Sequence, residues 1–68
     1  MAKQITNHIT GEVSVWEAPA AQLKAEAVRQ LVEADPTIDP EEIWWDMVGA
    51  GEIHGILGDE LLVEIIVV

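Results

Sequence analysis

The last eight residues, Leu61-Leu62-Val63-Glu64-Ile65-Ile66-Val67-Val68, form an aliphatic run with one interruption, Glu64. β-Branched residues favour extended backbone, and a strand with apolar side chains on both faces should be central in a sheet or covered on both sides. Left on a sheet edge, it would template aggregation. The rest of the chain must therefore flank or cover this segment. The simplest placement is the middle of an antiparallel sheet with helices on one face. The other is a dimer in which the final strands pair or stack across a symmetry axis.

The chain has little material for that task. Sixty-eight residues make one domain, burying only about 60% of the surface exposed by the unfolded chain. With no cysteine, there is neither a disulfide staple nor a thiolate metal site. Half of the residues are apolar, which argues for a folded domain rather than disorder. No run approaches the roughly 20 apolar residues that span a bilayer. The N-terminus carries one lysine and no apolar segment, so it does not read as a signal peptide. The expectation is a soluble cytoplasmic protein.

Residues 3–17 are rich in β-formers, Ile5, Ile9, Val13, Val15 and Trp16 among them. They predict strands over 3–9 and 12–17, joined at Gly11 as a hairpin, with one bulged strand as the alternative. Glu17-Ala18-Pro19 opens a helix over 19–34, built from alanine and other good helix formers. Leu23, Ala27, Leu31 and Ala34, flanked by Val28, give it a narrow apolar face. Asp35-Pro36 ends it, because the residue before proline is pushed out of helical geometry. Near the C-terminus, Gly58-Asp59 fits a two-residue hairpin turn leading into the final strand.

Between these lies Asp39-Pro40-Glu41-Glu42-Ile43-Trp44-Trp45-Asp46-Met47-Val48-Gly49. Asp39 suits a helix cap, Pro40 the first helical position, and Glu42 the spacing of a capping box. Gly49-Ala50-Gly51 supplies a stop. These signals predict a second helix over about 40–49. On a helical wheel Ile43, Trp44, Met47 and Val48 share the buried stripe, and Asp39, Glu42 and Asp46 form an acidic stripe opposite. Trp45 falls between the two. It either lies sideways against the same chain or stands as an anchor ringed by carboxylates. The fold class expected is therefore α+β, a small antiparallel sheet in ββ-αα-ββ order with two helices packed on one face.

Charge is unevenly spread. Glu12, Glu17 and Glu26 balance Lys3, Lys24 and Arg29, so the net charge of −10 falls wholly in residues 30–68. Such a surface repels nucleic acid and anionic membrane and attracts basic protein surfaces. It also serves solubility.

Catalytic groups are scarce. A triad of Ser14, His8 and an acid is conceivable, but no chain remains to build a pocket over it. Adjacent pairs such as Glu41–Glu42 and Asp59–Glu60 diverge in direction and make poor acid–base dyads. His54 with Glu52 or Asp59 matches no recurrent metal-ligand spacing. No phosphate-cradling loop or basic aromatic patch is present. Neither catalysis, a cofactor nor a metal is expected, and binding is what remains.

Three functions fit. The first is an inhibitor whose carboxylates occupy the basic groove of a nucleic-acid-handling protein, since arginine meets carboxylate and phosphate with the same bidentate geometry. Size, acidity and the lack of catalytic groups resemble those of phage-encoded anti-restriction and anti-CRISPR proteins as a functional class. That likeness rests on size and charge, with no family motif. The second is an antitoxin-like neutraliser of one basic protein. The third is a structural homodimer built on Leu61–Val68, acidic only for solubility. The expected contact surface is Asp39, Glu41, Glu42, Trp45 and Asp46, flanked by Asp35 and Glu52.

Overall fold

A computed structural model of the protein describes residues 2–68. Five antiparallel strands form one sheet: β1 (Lys3–Asn7), β2 (Val13–Trp16), β3 (Trp44–Gly49), β4 (Glu52–Leu57) and β5 (Glu60–Val67). One helix, α1 (Ala20–Ala34), crosses a single face. The strand order is β2-β1-β5-β4-β3. The apolar C-terminal run thus occupies the centre, with both of its hydrogen-bonding edges filled by β1 and β4. Pairing of two such strands between copies would require one of those neighbours to leave.

The register sorts the strands into two faces, because successive side chains point to opposite sides. One row on the helix side runs Met47, Ile53, Ile65, Ile5, Ser14 across all five strands. Below it Trp45, Gly55, Val63 and Asn7 form a second. Leu23, Ala27 and Leu31 of α1 close over Ile5, Ile53, Val63 and Ile65 to make the core. Ala34, expected on the apolar face of the helix, is exposed beyond the packed turns.

The predicted second helix does not form, and the ββ-αα-ββ order gives way to ββ-α-βββ. Asp39 and Pro40 act as read, but for a single 3₁₀ turn over Pro40–Glu42, where Asp39 Oδ1 accepts from the Glu41 N–H at 3.0 Å. From Ile43 the backbone is extended. Three forces favour this outcome. A ten-residue helix is marginal without strong packing. Tryptophan and valine suit a pleated surface. And extension separates Glu42 from Asp46, like charges that would repel at helical spacing.

The buried stripe is redrawn accordingly. Ile43 is buried and Trp45 half-buried, whereas Trp44 is 72% exposed and Met47 69%. Gly51, read as part of a helix stop, instead turns the β3–β4 hairpin at φ 76°. Gly58, at φ 62°, makes the β4–β5 turn where the sequence placed it. Strand β1 ends at Asn7 rather than residue 9. The Asn7 side chain is buried and its Oδ1 accepts from the N–H groups of Ile9 and Thr10, which folds that stretch into the hairpin turn.

Candidate functional site

The second face of the sheet carries no helix. Its central row reads Asp46, His54, Glu64, Thr6 and Val13 across β3, β4, β5, β1 and β2. The neighbouring row holds Glu52, Ile66, Gln4 and Val15. Trp44 stands opposite Ile56 at the β3 edge. The face is therefore apolar at its two edges, where Val13, Val15 and Trp44 are exposed, and acidic with two histidines at its middle.

That middle is built by strand geometry. Glu52 and His54 lie two apart on β4 and point the same way, and Glu64 is the direct partner of His54 on β5. His54 Nε2 sits 2.7 Å from Glu52 Oε2 and 3.6 Å from Glu64 Oε2. His8 follows the end of β1, where its backbone N–H donates to the Leu62 carbonyl. Its Nε2 lies 2.6 Å from Glu64 Oε1. Glu64 is thus held between two imidazoles.

No lysine or arginine shares this face. Lys3 belongs to the row alternation of Ile5 and Asn7 on the helix side. The Lys24 ammonium lies 5.9 Å from the Trp45 ring centroid, within cation–π range. Arg29 is held on the helix surface by Glu26 and Glu33, each at 2.7 Å. The Arg29 guanidinium, then the Gln30 amide, pulls the Glu26 carboxyl below its ordinary range, while Glu26 raises Arg29.

The seven residues expected at the contact surface do not assemble into one patch. Asp46 and Glu52 both lie on the open face. Trp45 lies on the other, over Gly55 and under Lys24, as the sideways alternative had it. Asp35 ends α1 and accepts from the hydroxyl and N–H of Thr37, which lowers its pKa. Asp39 caps the 3₁₀ turn, and Glu41 and Glu42 are exposed within it. The helical acidic stripe does not exist.

The sequence reading missed Trp44, His8 and Glu64. Glu64 had a signal, being the one charge within the aliphatic run Leu61–Val68. His8 had none, since its partner is 56 residues away. The Ser14–His8 pairing fails on topology. Ser14 lies on the helix side, where Oγ accepts from Trp16 Nε1 at 2.8 Å, and His8 meets Glu64 on the open side.

Comparison with known proteins finds no matching family model, no matching curated protein and no matching solved structure. Among the described residues no helix is long and apolar enough to cross a membrane. The arrangement offers an open, carboxylate-rich sheet face with one exposed indole. It can attract cations and basic side chains.

Proposed function

We propose that the protein is a non-enzymatic binding module that docks the open face of its sheet onto a positively charged protein surface. The partner class that fits best is a nucleic-acid-handling protein, inhibited by occupation of its basic groove. One observation carries this reading: Trp44, 72% exposed, stands beside Asp46 on a face that also presents Glu52 and Glu64 and no lysine or arginine. Large, rigid aromatic side chains anchor interfaces, and charge complementarity steers their formation. On this reading the protein works in the cytoplasm.

The test is capture of basic nucleic-acid-binding proteins by the immobilised chain, followed by elution in rising salt. Capture should weaken steeply with salt and fall about tenfold or more in Trp44→Ala. Asp46→Asn with Glu52→Gln should lower it further. Added DNA should displace the captured protein. Salt-sensitive capture that DNA does not displace would assign the antitoxin-like role instead. Capture indifferent to salt and to all three substitutions would sink the docking reading.

A further inference from the structure

We propose that Glu52, His54 and Glu64 bind a divalent transition-metal ion, Zn²⁺ foremost, with His8 holding Glu64 in place. The three side chains each offer a donor atom, and these atoms lie within 4.8 Å of one another. Zinc bonds to imidazole and carboxylate measure about 2.0–2.2 Å, which sets tetrahedral donor–donor separations near 3.4 Å. The His54 Nε2–Glu64 Oε2 separation of 3.6 Å already matches that edge. The Glu52 oxygen, 2.7 Å from the same nitrogen, must retreat by about 0.7 Å to reach that edge, a movement within the reach of a glutamate side chain.

The site stands on two paired strands rather than on loops, so its donors are positioned by the register itself. Two carboxylates converge on one imidazole, and Lys3, Lys24 and Arg29 lie elsewhere, on the helix and its sheet face. A divalent ion supplies the countercharge that the sequence withholds. His54 and Glu64 side chains are only 20% and 28% exposed, and partial exclusion of water strengthens their pull on a cation. His8 contributes through the second Glu64 oxygen at 2.6 Å. A partner of this kind orients a ligating carboxylate, and its loss typically weakens metal binding about tenfold or more. Nitrogen and oxygen donors without sulfur suit Zn²⁺ and its neighbours, whereas Mg²⁺ demands octahedral oxygen ligation.

The experiment titrates Zn²⁺ into the chelator-stripped full chain against a chromophoric zinc indicator. The imidazole resonances of the unmodified protein are followed in parallel. The expected result is one ion per chain at micromolar affinity, with the His54 ring resonances moving on saturation. His54→Gln and Glu64→Gln should each weaken binding by about tenfold or more, and His8→Gln by about tenfold. Glu12→Gln, in the β1–β2 turn, should change nothing, and Mg²⁺ at the same concentration should not compete. The substitutions lie on the solvent side of the sheet, and circular dichroism checks that each variant folds. Either of two results overturns the site: no saturable binding in the unmodified chain, with the His54 ring unmoved, or equal affinity in the folded variants. Since no protein partner enters the measurement, its failure would leave the docking reading untouched.

Discussion

The Trp45 ring occupies the space that a side chain at Gly55 would need. A Cβ placed on Gly55 would lie 2.9 Å from Trp45 Cζ3 and 2.6 Å from Val63 Cγ1. Glycine at the middle of a strand normally weakens it. Here it lets an indole from the neighbouring strand reach across the sheet toward α1, where Lys24 meets it. Gly55→Ala should therefore destabilise the protein by about 1–3 kcal/mol, the usual cost of overpacking. Urea unfolding measures it. In Trp45→Leu the same glycine substitution should cost less, giving a non-zero coupling in the double-mutant cycle. Additive effects would show that the two positions do not compete for space.

Trp44, the adjacent residue, should behave in the opposite way. Its side chain faces solvent, so Trp44→Phe should change stability by no more than about 0.5 kcal/mol, as for surface sites generally. The same substitution should remove most of the acrylamide-quenchable fluorescence, because Trp16 and Trp45 are half-buried. Undiminished quenching in Trp44→Phe would show that the exposed indole is another one.

Asn7 is the one buried polar residue of the described chain, at 2% exposure. Its Oδ1 accepts from Ile9 N–H at 2.9 Å and Thr10 N–H at 3.2 Å. Removing that acceptor deprives two turn amides of their partner. Asn7→Ala should cost about 1–3 kcal/mol, and amide exchange at residues 9–11 should accelerate more than exchange in β4. Uniform acceleration would mean that Asn7 acts on global stability alone.

Acid should weaken the helix locally. Glu26 and Asp35 have pKa values lowered in the folded state by Arg29 and Thr37, respectively. Each therefore adds stability that is fully present above the unfolded carboxylate range and is lost as pH falls through the folded pKa. Protonation of the many other acids relieves repulsion and works the other way. The informative quantity is the difference between variant and unmodified protein. The deficit of Glu26→Gln and Asp35→Asn in urea midpoint should be largest at pH 7 and shrink toward pH 3. A deficit that grows on acidification would contradict the assignment.

Much of the architecture was legible because it rested on local chemistry or on one strong pattern. The final aliphatic run demanded either a central place in a sheet or cover on both faces, and it lies at the sheet centre with one face open. The Leu23–Ala27–Leu31 spacing, the proline after Asp35 and the glycine of the Gly58–Asp59 turn each act over a few residues. Their outcome was readable without knowing the rest of the fold. Asp39–Gly49 was different. Its cap, proline and glutamates describe how a helical turn begins, and one does begin there. The conformation from Ile43 onward was decided by a partner outside the segment. Strand β4 needed a neighbour on its outer edge, and β3 pairs with it from Trp44 to Gly49.

That exchange of helix for strand also moved the site. On a helix Glu42 and Asp46 would have formed a line, with Trp44 in the core. In a strand, adjacent side chains oppose one another, so Trp45 turns inward and Trp44 outward. The sequence by itself determined acidity without countercharge in its C-terminal half, a helix with one apolar stripe, and a final strand suited to the centre of a sheet. Only tertiary structure decided which acids stand together. His8, Asp46, Glu52, His54 and Glu64 come from four different stretches of chain. They meet because antiparallel register aligns residues that no local spacing connects.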